Sequence, residues 1–245
     1  MNQIFRPVFV LSVLAGLLPG SAAQTAEVKL HPVAVLELFT SQGCSSCPAA
    51  DKLLSAYDAR DDVIALAYHV DYWDYIGWRD VFGSADNSDY QRAYAKAQRQ
   101  TRIYTPQLMV NGTQDVVGSR STEVKAAVAA ADLPVPVTLS ANADMLDVRI
   151  DADAQQKESV IWLVKFRDRA EVEIERGELA GRAFDYTQIV TGRQVLGMWE
   201  PETGAHVKLP LSEVIGADND GAVILVQEEA GGLPGRIIGA ASFKR

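Results

Sequence analysis

Cysteine and histidine are scarce in this chain of 245 residues, which has two cysteines, Cys44 and Cys47, and three histidines, His31, His69 and His206. No second cysteine pair exists to complete a zinc or copper site, so metal binding would need help from distant residues. Basic charge is also in deficit. The formal net charge is -9 and the acidic residues are scattered rather than gathered into a tail, so a phosphate backbone meets no basic patch and nucleic acid is excluded as a partner. No period of about 20 to 50 residues stands out, which argues against a solenoid. With 48% hydrophobic and 22% charged residues the composition is that of an ordinary globular protein, and disorder is not the starting expectation.

An apolar run long enough to span a membrane is missing as well. Val8 to Leu18 is almost wholly apolar, but Pro19, Gly20 and Ser21 end it short of the roughly 20 residues a span requires. Arg6 before the run and the small residues Pro19-Gly20-Ser21-Ala22-Ala23 after it read as a signal peptide over residues 1–23, with cleavage after Ala23 or Ala26. The expectation is an exported protein, periplasmic or extracellular, with no stable membrane span after signal cleavage.

What the chain does contain starts with alternating strand and helix. Val33 to Thr40 is a continuous β-prone run, Ser41-Gln42-Gly43 is a loop, and Pro48 to Arg60 has apolar residues at helical spacing. Ala49, Leu53, Leu54 and Tyr57 form the expected inward stripe, while Asp51, Lys52, Ser55 and Asp58 fall outward. Val63 to Val70 completes a βαβ unit and a parallel strand pair. An insertion follows, with the aromatic stretch Asp71 to Trp78 and a polar helix from about Asn87 to Gln100. Gln107 to Val110 and Asp115 to Gly118 flank the hairpin signal Asn111-Gly112, and Ser121 is the expected cap of a helix reaching Ala131.

Leu133-Pro134-Val135-Pro136 reads as a linker, since two prolines in three positions suit neither a helix interior nor a central strand. From Val137 to Phe243 short β-prone runs recur, among them Ser159–Phe166, Val172–Glu175, Phe184–Val190 and Gln194–Trp199, the texture of a β-sandwich. The expected domains are residues 27–133 and 137–245.

The chemistry-bearing feature is Cys44-Ser45-Ser46-Cys47, placed where a strand turns into a helix. Backbone N–H groups and the positive end of the macrodipole at a helix start stabilise a thiolate, which lowers a cysteine pKa. Cys44 then acts as the accessible nucleophile and Cys47, one turn on and more buried, resolves the mixed disulfide. Two other readings stay open. A structural bridge suits an exported protein, although so short a loop removes little unfolded-chain entropy. Half of a metal site is the other.

The order of strand, Cys-x-x-Cys at a helix start, strand, insertion, Thr105-Pro106 before an edge hairpin, and final helix resembles the thioredoxin superfamily. Phe39 to Pro48, His69 to Phe82, Tyr104 to Gly112 and Arg176-Gly177-Glu178 resemble, more closely, a family of secreted thioredoxin-like proteins of uncharacterised function. The resemblance implies an α/β thioredoxin-like N-terminal domain followed by an all-β sandwich-like C-terminal domain. It also implies a cis Thr105–Pro106 bond that holds a substrate strand beside Cys44. Many relatives carry an acid six residues before the first cysteine; here that position is Leu38, and Glu37 faces the other way.

His69 and Asp71 close the second strand, where ligands of open α/β sheets gather, and Glu37, His69 and Asp71 are expected as assisting groups. Trp73, with Thr105 and Pro106, is expected to contact substrate, alongside Tyr72, Tyr75 and Trp78 as an apolar wall. The leading functional expectation is an exported thiol–disulfide oxidoreductase acting on a protein thiol or disulfide partner, with no cofactor and no metal. The alternative is a non-catalytic binding protein for a metal or a protein partner.

Overall fold

The computed structural model describes residue 1, residues 27–142 and residues 144–245. The expected signal peptide, residues 1–23, lies outside the described residues apart from residue 1. In chain order the elements are β1 (Glu27–Lys29), β2 (Ala34–Thr40), α1 (Pro48–Asp58), β3 (Val63–His69), a 3-10 turn (Asp74–Ile76), α2 (Ala85–Ala97), β4 (Gln107–Val110), β5 (Gln114–Val117) and α3 (Ser121–Ala129). There follow β6 (Val137–Asn142), β7 (Met145–Ile150), β8 (Ser159–Ile174), β9 (Arg182–Trp199), β10 (Ala205–Pro210), α4 (Leu211–Val214), β11 (Gly221–Ala230) and β12 (Leu233–Lys244). Among the described residues no helix is long and apolar enough to cross a membrane.

The run Ala34–Thr40 is buried throughout, as is Val63–His69, which is how strands covered on both faces read. They pair in parallel, Leu36 opposite Ala65 and Leu38 opposite Ala67, and β4 adds to the other edge of β2 with β5 beyond it. Asn111 and Gly112 at the hairpin have φ of 46° and 70°, the left-handed pair that the Asn-Gly signal supplies.

The expected α/β thioredoxin-like domain followed by a separate all-β sandwich is overturned. Strands account for 48% of the chain and helices for 18%, and one mixed nine-stranded sheet, β1-β12-β11-β8-β9-β3-β2-β4-β5, runs through both halves. The free edge of β3 is the reason. An unpaired edge strand leaves a row of N–H and C=O groups, and β9 takes that place in parallel at Ala67 and Ile189, so the sheet grows instead of ending. The segment read as a linker is built in as well: Val135 is buried and its N–H donates to Ile238 O at 2.8 Å.

The two faces of β2 and β3 bury different partners. Leu36, Leu38, Ala65 and Ala67 pack with α1 and α3 in a core formed entirely from residues 34–131. Val35, Phe39, Leu66 and Tyr68 pack on the opposite face with Tyr94 of α2 and with Phe166, Val190, Val223 and Leu225 from the β-rich half. A third core lies under the three-stranded sheet β10-β7-β6, which covers β8, β11 and β12 through Leu146, Val148, Ile150, Leu163 and Ile224.

Three local expectations also change. The buried residues of α1 are Ala50, Asp51, Leu54 and Tyr57, so the inward stripe is rotated from the expected one and takes in an acid. Ser121 is the first residue of α3 rather than its cap, Arg120 holding that position. The runs Ser159–Phe166 and Val172–Glu175 are one 16-residue strand, and the runs around Phe184–Trp199 are one of 18 residues. The polar stretch between them continues as a two-stranded ribbon, whose tip at Gly177 packs near Ile76 and Trp78 of the aromatic insertion.

Candidate functional site

The chain leaves β2 through Ser41, Gln42 and Gly43, all buried, and this turn is fixed by side chains of the aromatic insertion. Gln42 N–H donates to Asp80 Oδ2 at 2.8 Å, and Gln42 Oε1 accepts from Trp78 Nε1 at 2.9 Å and from the Val81 N–H at 3.2 Å. A Cβ on Gly43 would stand 3.1 Å from Trp73 Cβ and 3.3 Å from Trp73 O, so glycine is what lets this segment lie against the cysteine loop.

Cys44 and Cys47 form a disulfide with Cα atoms 5.4 Å apart. Cys47 O accepts from the N–H groups of Ala50 and Asp51 at 2.8 and 3.1 Å, so Cys47 holds the position just before α1, and Pro48, its first residue, needs no N–H donor. Ser45 and Ser46 are exposed, whereas Cys44 is 2% exposed and Cys47 is fully buried. Cys44 is thus the outer sulfur only by a small margin while the bond is closed. Its Sγ lies 3.4 Å from Ser46 Oγ.

Trp73, Thr105 and Pro106 converge on this loop. Trp73 Nε1 donates to Thr105 Oγ1 at 2.7 Å, and its ring stacks on Tyr75, which is 80% exposed. The Thr105–Pro106 peptide is cis. Gly118 separates Pro106 from Ala50 of α1, since a Cβ there would stand 3.5 Å from Pro106 Cβ and 3.1 Å from Ala50 Cβ. Pro106 and the first turn of the cysteine-bearing helix thus lie on either side of Gly118.

Beneath the disulfide lies a buried polar cluster that only His69 marked in the sequence. Asp51 follows Cys47 by four residues, which puts the two on one face of α1, and Thr40 Oγ1 donates to Asp51 Oδ1 at 2.7 Å. Burial pushes the Asp51 carboxyl up to about 6, against the opposing pull of His69 and the Thr40 bond. His69 Nδ1 lies 2.8 Å from Asp80 Oδ2, and Asp80 Oδ1 accepts from the Phe82 N–H at 2.8 Å. Burial would depress His69, but the Asp80 carboxylate and Asp51 outweigh it and hold its pKa above the ordinary value. Tyr186 of β9 places its ring 5.0 Å from that of His69, so the β-rich half forms one wall of the cluster. A buried carboxyl with a raised pKa, one helical turn along α1 from Cys47, is of the kind that exchanges protons in functional sites.

Asp51 was missed because an acid inside an apolar stripe breaks the periodicity that reveals the stripe. The threonine that ends β2 and the i, i+4 spacing from Cys47 are the signals that could have found it.

Glu37 and Asp71 are not part of this arrangement. Glu37 is buried on the α2 face, where Oε1 accepts from Tyr90 at 3.0 Å and Oε2 from Tyr94 at 2.5 Å, and burial raises its pKa. Asp71 Oδ1 accepts from Ser88 Oγ at 2.6 Å and its N–H donates back to the same hydroxyl at 3.2 Å, which ties the insertion to α2. Arg176 and Glu178 are exposed at the ribbon tip. Among the described residues no three His, Cys, Asp or Glu side chains gather as a metal-ligand group.

Fold and site together define a mixed-sheet β protein with a single Cys-x-x-Cys disulfide at a helix start. The chain belongs to the family described as "Protein of unknown function (DUF1223)", whose model matches residues 35–227. An X-ray crystal structure of a protein from Agrobacterium tumefaciens is 33% identical, with a TM-score of 0.79 over 87% of this chain and 95% of that one. HBP35 of Porphyromonas gingivalis shares 16% identity, with a TM-score of 0.58 over 87% of this chain and 74% of that one, a likeness of fold alone. No curated protein matches the chain.

Proposed function

We propose that this protein is an exported thiol–disulfide oxidoreductase that acts on protein thiols or disulfides through Cys44 and Cys47. The observation that carries the reading is the closed Cys44–Cys47 disulfide at the start of α1, with the hydrogen-bonded Trp73–Thr105 pair against the loop before it and a buried carboxyl one turn beyond it. A bridge closing so short a loop contributes little as a staple, so a chemical role accounts for it better. The local likeness to the thioredoxin superfamily, a strand leading into Cys-x-x-Cys at a helix start, supports the same reading, and the N-terminal run read as a signal peptide supports export.

In the oxidising direction a partner thiolate attacks Cys44 Sγ, the Cys44–Cys47 bond breaks, and its electron pair leaves on Cys47 Sγ, which takes a proton from Asp51. A second partner thiolate then attacks the partner's own sulfur in the mixed disulfide, and Cys44 departs as a thiolate stabilised by the helix start. The reducing direction is the reverse: Cys44 attacks a partner disulfide, Asp51 accepts the Cys47 proton, and Cys47 attacks Cys44 Sγ to release the partner thiolate. Trp73, Tyr75 and the Thr105–Pro106 segment form the surface against which the partner's chain lies.

Trapping tests this order. In the full mature chain Cys47→Ser should accumulate a mixed disulfide through Cys44 with a thiol-bearing peptide, seen by mass spectrometry, whereas Cys44→Ser should not. Equal trapping by both variants, or by neither, contradicts the directional mechanism.

A further inference from the structure

On the far face of the sheet from the disulfide, α2 and the β8–β9 pair enclose a cavity of about 440 Å³, within the size range of small-molecule sites. Its apolar wall is made by Val81, Phe82 and Ile189, and two guanidinium groups, Arg167 and Arg193, reach it from β8 and β9. Two cations in one cleft stand out on a chain whose net charge is -9. Arg167 lies over the Phe82 ring, 5.9 Å from its centroid, and among the described residues its carboxylate partner is the exposed Asp218, at 3.3 Å.

Arg193 is the more telling residue. Its guanidinium is sandwiched between the rings of Tyr90 and Trp162, 4.1 and 3.4 Å from their centroids, and donates through one nitrogen to Gln227 Oε1 at 2.6 Å. Glu37, held by the hydroxyls of Tyr90 and Tyr94, acts on it from beyond ion-pair distance, and among the described residues its buried Nε has no hydrogen-bond partner. A buried guanidinium nitrogen left without an acceptor is costly unless an anion completes it. The cleft also has little to repel one: Asp86 is its single carboxylate, at the start of α2, where the helix dipole partly offsets it.

We propose that this cavity binds a small organic carboxylate, with the carboxylate on Arg193 and Arg167 and an apolar body against Val81, Phe82 and Ile189. The site is separate from the disulfide chemistry and stands whether or not that chemistry does. The planar fork of a guanidinium matches a carboxylate, and the aromatic sandwich fixes Arg193 in the pose that uses it.

Calorimetric titration of the full mature chain with benzoate, with its neutral isostere benzamide and with inorganic phosphate tests the assignment. Saturable benzoate binding is expected, with benzamide and phosphate each weaker by roughly tenfold or more, since a charge-assisted bidentate contact and an apolar wall are each lost in turn. Arg193→Gln should abolish benzoate binding. Arg167→Gln, at the more exposed rim where folding is not at stake, should weaken it several-fold. Benzamide binding as tightly as benzoate, phosphate binding as tightly as benzoate, unchanged affinity in Arg167→Gln, or no saturable benzoate binding would each overturn the proposal.

Discussion

The two faces of β2 and β3 each bury a carboxyl, and the two are used differently. Asp51, on the α1 face, has one hydroxyl partner in Thr40 and lies under the disulfide with His69 and Asp80 beside it. Glu37, on the α2 face, is satisfied by two phenols, and Tyr94 is itself fixed by Gln227 Nε2 at 2.8 Å. The first carboxyl has its pKa pushed up to about 6 by burial; the second belongs to a closed network that joins α2 to the β-rich half. The contrast extends to the cores, since the α1 face is made within residues 34–131 and the α2 face draws on both halves of the chain.

The largest effect should come from cutting the chain between these halves. A fragment of residues 27–133 keeps the α1 face but loses Phe166, Val190, Val223, Leu225 and Ile237 from the α2 face and bares the edge of β3. Each such large apolar side chain contributes about 1.5–3 kcal/mol by burial, so their joint loss is comparable to the whole stability of an ordinary domain. The fragment should show no cooperative thermal transition. A sharp transition with a working Cys44–Cys47 couple would instead show the first half to be an independent domain.

Substituting the two carboxyls sharpens the comparison at residue level. Asp51→Asn should slow resolution of the mixed disulfide by about 100-fold, the range for loss of a general acid–base group, and yet stabilise the fold by roughly 1–3 kcal/mol at pH 7. Glu37→Gln should leave the rate within about twofold and cost about 1 kcal/mol, because a Tyr94 hydroxyl then faces an amide donor. Quenched-flow trapping gives the rates and urea unfolding the stabilities. A rate loss in Glu37→Gln equal to that in Asp51→Asn would erase the distinction between the faces.

A smaller effect lies in pH. The folded-state pKa of Asp51 is raised from 3.8 to about 6, so the folded protein holds that proton more tightly and stability falls as pH rises through this window. The stability difference between Asp51→Asn and the wild type should therefore be flat below about pH 4 and grow up to pH 7. His69, whose pKa is raised by Asp80, contributes stability below its ordinary value that is lost as pH rises through the folded one, and His69→Gln should remove that upper limb. An Asp51→Asn difference that does not change with pH would mean that Asp51 is not titrating there.

Much of the site was legible because its signals are local. The strand into Cys44, the proline after Cys47, the cis Thr105–Pro106 bond and the Asn111-Gly112 turn are each read within a few residues, and the backbone has the form expected at each. What was not legible depends on distant partners. Asp51 counts as an outward residue until Thr40 and His69 are folded against it. The polar residues between Phe166 and Val172 look like a break between strands, but pairing across the ribbon, Arg169 with Thr187 and Glu171 with Asp185, carries both strands through. The join of β9 to β3 rests on one bridge between residues more than a hundred positions apart, which no pattern within either segment announces.

The central claim is that the Cys44–Cys47 bond turns over. Equilibrating the full mature chain against thiol–disulfide buffers of graded potential, then counting alkylated cysteines by mass spectrometry, tests it most directly. A bond that turns over should give a reversible two-electron couple between about -120 and -270 mV, the span of catalytic dithiols, whereas one that stays closed below about -300 mV would be a structural disulfide and would contradict the proposed function.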